Sequence, residues 1–244
     1  MAPYISKIGV CMAGKNKKEE KRKSDDSVNS VVSELEKDMF SLKFYPVAVD
    51  EKTKDEAVAK IKERYKKGNE TVRQLVLYML HESIAEFFEF RIMHNFEYMK
   101  NKNPNAEPAR MRIEIYKKMF NYNTSIEGIT AMIGVAGELE GDDSAKLLTY
   151  HYARLCSWES EASIMMRNAI IDALGKSDSL YGFSALMEYA KNTDNEKTYH
   201  RLVRALGRWS EKLSKIKMPD AKKRIYLEKL RNILAKEFRG RHYG

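Results

Sequence analysis

The feature that most constrains this chain is a succession of amphipathic helical patterns between residues 69 and 238. Apolar residues recur there at spacings of three and four, over segments of 12 to 20 residues. Short polar joints containing Asn, Asp, Ser or Pro separate these segments. No alternating strand pattern interrupts them. The predicted fold class for this part of the chain is therefore all-α.

The pattern predicts eight helices in this region, or nine if residues 69–99 hold two. They are expected at residues 69–99, 105–121, 124–139, 142–156, 160–175, 179–191, 195–213 and 219–239. Residues 27–66 hold two more helical patterns, separated by a β-like stretch at 42–49. Residues 1–26 are expected to form a small, irregular and flexible N-terminal extension, because the charge run at 15–26 contains no apolar residue. Residues 27–244 are then a single α-helical domain.

Three of the predicted helices end alike, in the sequences ITAMIGVAG, RNAIIDALG and YHRLVRALG. Their terminal glycines, Gly137, Gly175 and Gly207, are 38 and 32 residues apart. That spacing is about the length of a helix pair in a stacked solenoid. A small residue followed by glycine lets a neighbouring helix approach closely, and glycine also favours the turn that ends a helix.

Residues 167–207 resemble the HEAT-like repeats of α-solenoid proteins. The resemblance implies stacked antiparallel helix pairs in a right-handed solenoid, repeat-like from about residue 69. It also implies a scaffold or adaptor role, because members of such families present long curved surfaces to their partners. An irregular helical bundle that ends helices with glycine is the alternative interpretation.

Charge is concentrated at the C-terminal end of the chain. The formal net charge is +9, from 44 Lys and Arg against 35 Asp and Glu. Residues 201–244 contain 14 Lys and Arg and four Asp and Glu, a balance of +10, whereas residues 1–200 are almost neutral with 30 and 31. This basic C-terminal cap, 201–244, predicts an acidic partner.

Two predicted helices carry these cations on their polar faces. The candidate polyanion-binding or partner-binding residues are Arg201, Arg204, Arg208, Lys212, Lys222, Arg224, Lys229, Arg231, Lys236 and Arg239. Together they are expected to form a basic ridge that binds a protein partner, a nucleic acid or both. An amphipathic C-terminal helix resting on anionic lipid is a weaker alternative, because the apolar arc of this helix serves equally well to cap a solenoid.

The sequence favours a non-enzymatic interaction protein whose basic end docks an acidic partner or nucleic acid, and it leaves the question of enzymatic activity open. The alternative is a nucleic-acid-processing enzyme. A family of small HEAT-like DNA glycosylases is similar in size and basicity, which implies duplex DNA held in a concave face beside aromatic residues and a carboxylate. The available candidates for those roles are Trp158, Trp209, Glu159 and Glu161.

Other patterns are interpreted as structural. Gly9, Gly14 and Lys15 approach the phosphate-loop spacing, but Asn16 replaces the required hydroxyl and no parallel sheet is expected. Glu82, Glu86 and Glu89 align on one helix near His81 and His94, where a solvated face is expected rather than a metal site. No metal or other cofactor is predicted.

The two cysteines are also interpreted as structural residues rather than as parts of a catalytic or metal site. Cys156 lies five residues after His151, too far around a helix for a nucleophile pair, so we expect a core cysteine and a partly exposed histidine. Cys11 and Cys156 form no framework, which favours a reducing, cytoplasmic compartment. No apolar run is long enough to span a bilayer.

Overall fold

The computed structural model describes residues 18–88, 125–158 and 160–235. Within these ranges it contains nine α-helices and no strand, which confirms the all-α prediction for this part of the chain. The helices are α1 (Lys18–Lys43), α2 (Glu51–Lys67), α3 (Glu70–Phe87), α4 (Ile126–Glu138), α5 (Asp142–Leu155), α6 (Glu161–Lys176), α7 (Leu180–Asn192), α8 (Glu196–Lys215) and α9 (Asp220–Leu234).

Polar capping residues explain where most of these helices begin. In six helices, the side chain of the residue before the first turn accepts a hydrogen bond from a backbone N–H three residues later. These caps are Asp50, Asn69, Ser125, Ser160, Ser179 and Asn195. The ends of α4 to α8 agree with the predicted ends to within two residues. The predicted helix at 105–121 lies outside the described residues.

The prediction of a β-like stretch at residues 42–49 is wrong. Helix α1 continues to Lys43, and residues 44–49 form turns. Leu35, Met39 and Leu42 are all buried at helical spacing, so the apolar residues at the start of this stretch belong to the core face of α1. Helix α1 also begins at Lys18, and its backbone therefore includes part of the charge run at 15–26 that was expected to be a linker.

The last six helices pack in two rows. In the first row α4 contacts α6 and α6 contacts α8. In the second row α5 contacts α7 and α7 contacts α9. Each helix from α4 to α9 also packs against the next one along the chain, while α1, α2 and α3 lie against α4 at the start of the first row.

Close contacts at glycine set the spacing of the first row. A Cβ built on Gly137 would lie 2.7 Å from the Cα of Ala173, and one built on Gly175 would lie 2.9 Å from the Cβ of Ala205. Alanine stands two residues before the terminal glycine in α6 and α8, and two residues are about 200° around a helix. Alanine and glycine therefore occupy opposite sides of the helix, facing the preceding and the following helix of the row.

The row ends at α8. Gly207 is exposed, and no atom of the described residues lies within 4 Å of the position that its Cβ would take. The opposite side of α8 is anchored by Trp209, which is fully buried, donates a hydrogen bond from Nε1 to the Leu174 carbonyl (3.3 Å) and packs against the Phe183 ring. This anchor leaves the polar face of α8 turned outward.

Candidate polyanion-binding surface

Helices α8 and α9 carry eight of the ten predicted site residues. Arg201, Arg204, Arg208 and Lys212 lie on α8, and Lys222, Arg224, Lys229 and Arg231 lie on α9. Lys236 and Arg239 lie outside the described residues. The core face of α8 is formed by six buried residues. They are Tyr199, Leu202, Ala205, Leu206, Trp209 and Leu213.

Two of the predicted residues have partners inside the protein. Arg201 contacts the Asp172 carboxylate of α6 through Nη2 at 2.7 Å and Nε at 3.1 Å. Lys212 donates to the Ser177 carbonyl at 2.9 Å and pairs with Asp178 at 3.0 Å. Because carbonyls at the C-terminus of a helix lack partners within that helix, Lys212 caps α6. Both residues therefore fasten α8 to α6.

Asp172 and Asp178 were not identified as partners from the sequence. The sequence contained a signal for Asp172. When the repeated sequences are aligned on Gly175 and Gly207, Asp172 occupies the same position as Arg204, which is one helical turn from Arg201. Neighbouring helices of a stacked row bring such positions together.

Within residues 201–235, seven exposed cations have no ion pair with any described residue. We call these seven the basic C-terminal surface. They are Arg204, Arg208, Lys217, Lys222, Arg224, Lys229 and Arg231. All are exposed. In the same part of the chain only Asp220 and Glu228 are acids without an ion pair to a described residue, so the uncompensated charge of this surface is strongly positive.

The arginines of this surface form a separate group. Arg204 and Arg208 flank exposed Gly207 on the side of α8 that points away from α6. Arg224 and Arg231 are seven residues apart and share one face of α9. Lys223 of α9 donates to the Ser214 carbonyl of α8 at 3.1 Å, which places α9 beside the end of α8.

Lys222 and Lys229 also lie seven residues apart, on a different face of α9. The ammonium of Lys222 stands 5.9 Å from the centre of the Tyr226 ring, and that ring packs edge-on against Phe183 of α7. These two lysines therefore belong to the side of α9 nearer the second row. We call the opposite group, Arg204, Gly207, Arg208, Arg224 and Arg231, the end face.

Neither of the other charged motifs forms a site in the described residues. Gly9, Gly14 and Lys15 lie outside them, as do Glu89 and His94. Glu86 pairs with Lys43 of α1 at 2.5 Å, which joins α3 to α1. Within the described ranges no three His, Cys, Asp or Glu side chains are grouped closely enough to hold a metal ion.

The expected burial of His151 and Cys156 is reversed. His151 is 1% exposed and Cys156 is exposed. Five residues separate the two side chains by about 140° on a helix, and His151 faces α3, where its ring centre lies 4.9 Å from that of His81. Burial, together with the nearby His81 and Arg154, lowers the pKa of His151 to about 3. Its Nε2 is buried without a hydrogen-bond partner.

The tryptophans bear on the glycosylase alternative. Trp209 is fully buried in the core and cannot stack on a nucleotide. Trp158 is half-buried and packs edge-on against Phe88, with ring centres 6.2 Å apart. Glu161 begins α6 and is exposed, and Glu159 lies outside the described residues. One of the two aromatic candidates for that activity is therefore unavailable.

Comparisons with known proteins do not assign the chain to a family: no family model, no curated protein and no solved structure matches it. None of the described helices combines the length and the apolar character needed to cross a bilayer.

Proposed function

We propose that this protein is a non-enzymatic interaction protein, a HEAT-like right-handed α-solenoid whose basic C-terminal surface docks a polyanionic partner. The two rows of helices and the alanine–glycine contacts between α4, α6 and α8 support the solenoid. In such an architecture each helix pair contacts only its neighbours, and the exposed surface serves for recognition.

The observation that carries this function is the set of seven exposed cations within residues 201–235 that have no ion pair with any described residue. A charged face on a surface helix ordinarily mixes both signs, as α2 does with its Lys67–Glu63 pair at 2.6 Å. On α8 the exposed Glu211 pairs with Lys215 at 2.6 Å, whereas Arg204, Arg208, Arg224 and Arg231 of α8 and α9 have no ion pair with a described residue. A cluster of one sign attracts counter-ions and speeds the approach of an oppositely charged partner.

A charge-reversal experiment tests the proposal. The test variant carries Lys222→Glu, Arg224→Glu, Lys229→Glu and Arg231→Glu. The matched control carries the same number of reversals at exposed lysines of α1 and α2 that have no ion pair with a described residue: Lys37→Glu, Lys52→Glu, Lys60→Glu and Lys66→Glu. Each variant lowers the formal charge by eight, from +9 to +1.

Heparin, a regular polyanion, is the probe, and binding is followed by isothermal titration calorimetry and by elution from a heparin column. The wild type and the control are expected to bind, whereas the test variant elutes at much lower salt. Thermal unfolding of all three proteins establishes that they are folded. Equal losses in test and control would mean that net charge alone acts, and would contradict a docking surface at the C-terminal end.

A further inference from the structure

We infer that the end face binds the phosphate backbone of a double-stranded nucleic acid. This inference rests on the proposed function, because it names the polyanion that the basic C-terminal surface docks. Four arginines lie on two neighbouring helices, and two of them, Arg204 and Arg208, lie within one turn of a glycine that has no side chain, so the backbone of α8 can be approached closely at this point.

The kind of cation favours phosphate. The cations of the end face that have no ion pair with a described residue are all arginines, since Lys215, which shares the face of α8 with Arg204 and Arg208, is paired with Glu211. A guanidinium group presents a planar fork of donors that matches phosphate in a bidentate manner, and it is more weakly hydrated than an ammonium group. Arg204 and Arg208 are one helical turn apart, about 6 Å along the axis, so both reach the same stretch of backbone.

The residues around the arginines distinguish a nucleic acid from an acidic protein. Interfaces between proteins depend on aromatic or large apolar anchors. The exposed positions of α8 include no large hydrophobic residue. On α9, Ile225 is 51% exposed and lies about a quarter turn or more from both Arg224 and Arg231, and Leu234, 37% exposed, lies one turn after Arg231. Among the described residues of α8 and α9, these two are the exposed large hydrophobic side chains, and they do not form a cluster of anchors at the arginines.

The lack of exposed aromatic side chains on α8 favours a duplex over a single strand. Proteins that hold single strands stack bases on exposed aromatic side chains. Tyr199 and Trp209, the aromatic residues of α8 apart from His200, are buried. A duplex offers one phosphate charge per ~1.7 Å of axis and needs no stacking platform.

The acids near the end face do not cancel its charge. Glu211 is paired with Lys215, and Glu196 lies 3.5 Å from His200. Glu228 stands one turn from Arg224 and Arg231 on α9 but forms no ion pair with a described residue. Asp220 also stands one turn from Arg224 without an ion pair to a described residue, so the four arginines exceed the two uncompensated carboxylates near them.

Fluorescence anisotropy with labelled 20-base-pair DNA and RNA duplexes tests the inference, with the unpaired DNA strand and poly-L-glutamate as competitors. If four phosphates are neutralised, log K falls with log salt at a slope of about −3.6, which is about 150-fold between 50 and 200 mM. The duplexes are expected to bind more tightly than the single strand and to resist poly-L-glutamate.

The variant Arg204→Glu, Arg208→Glu, Arg224→Glu and Arg231→Glu is expected to lose duplex binding by about 100-fold at 50 mM salt, while the control with reversals in α1 and α2 keeps it. The corresponding four Arg→Lys changes keep the charge, and therefore the fold and the salt slope, but lower affinity several-fold through loss of the bidentate geometry.

The outcomes separate this inference from the proposed function. Binding of heparin and poly-L-glutamate through the C-terminal cations, with no preference for duplexes, would overturn the nucleic-acid inference and leave polyanion docking intact. Failure to bind any of these polyanions would overturn both. Tighter binding of the single strand, or an undiminished affinity in the Arg→Lys variant, would also contradict a bidentate duplex contact at the end face.

Discussion

Replacing the terminal glycines of the repeats one at a time tests whether the helices of the first row touch as described. Gly175→Ala places a methyl group 2.9 Å from the Cβ and 3.1 Å from the Cα of Ala205, and Gly137→Ala places one 2.7 Å from the Cα and carbonyl oxygen of Ala173. Gly207→Ala, chemically the same change at the same repeat position, meets no described atom within 4 Å.

The magnitudes follow from two opposing terms. Alanine is favoured over glycine inside a helix by about 1 kcal/mol. Overpacking at a tight contact costs about 1 to 3 kcal/mol. At Gly207 only the first term acts, so unfolding free energy rises by roughly 0.5 to 1 kcal/mol. At Gly175 the cost of overpacking exceeds the gain in helix propensity, and the free energy of unfolding falls by about 1 kcal/mol. At Gly137 the added methyl group meets backbone atoms, and the free energy of unfolding falls by about 2 kcal/mol.

Urea unfolding monitored by circular dichroism measures these differences. The expected order of stability is Gly207→Ala, wild type, Gly175→Ala and Gly137→Ala. The double variant Gly175→Ala with Ala205→Gly moves the methyl group across the interface, and its loss should be smaller than the sum of the two single losses. Additive losses, or a Gly207→Ala variant as unstable as Gly175→Ala, would refute the stacked contact between α6 and α8.

Three further predictions concern stability. The pKa of His151 is lowered to about 3 in the folded state, so the unfolded state binds a proton at this residue more strongly and the protein loses stability as the pH is lowered. From pH 7 to pH 5 the free energy of unfolding should fall by about 2 kcal/mol. Urea unfolding of the His151→Gln variant should not show this loss. Arg64→Leu leaves buried Asp38 without its ion pair and should cost about 2 kcal/mol, recovered in part by adding Asp38→Asn in the same assay. Ser179→Ala removes the cap of α7 and the 2.5 Å bond to Asp142, and should lower the thermal midpoint through a loss of about 1 kcal/mol.

The positions of the helices could be predicted because local chemistry determines them. Ser160, Ser179 and Asn195 cap the helices that follow them, and these interactions involve residues only three apart in the chain. The stretch at 42–49 could not be assigned in this way. Over so few positions its apolar residues fit both the 3.6-residue period of a helix and the two-residue period of a strand. Only packing against the core decides that Leu42 belongs to α1.

The candidate surface was only partly predictable for a related reason. Helical spacing shows that Arg201 and Lys212 lie on the polar face of α8, but it does not show what lies opposite. The carboxylates of Asp172 and Asp178 belong to the preceding helix and its joint, and the contacts depend on how α6 and α8 stack. The same limit explains His151, whose burial depends on α3, a helix about 70 residues earlier in the chain.

Equivalent positions in the three repeated sequences explain why Arg204 and Arg208 of α8 have no ion pair with a described residue. One residue after the terminal glycines stand Glu138, Lys176 and Arg208. Glu138 pairs with Lys62 of α2 at 2.7 Å and with Lys176 at 3.7 Å, so opposite charges join α2, α4 and α6 along the row. Arg208 occupies the next place and has no ion pair with a described residue, because Glu211, one turn away on α8, pairs with Lys215.

Three residues before the glycines the corresponding series is Gly134, Asp172 and Arg204. Asp172 pairs with Arg201 of the next helix, whereas Arg204 faces the side on which no further described helix stacks. In both earlier contacts the preceding helix supplies the carboxylate and the following helix supplies the cation. Both series end in an arginine on α8, beyond which no further described helix stacks. The polyanionic partner that we propose would supply, at this place, the negative charge that the contacts between earlier helices obtain from within the chain.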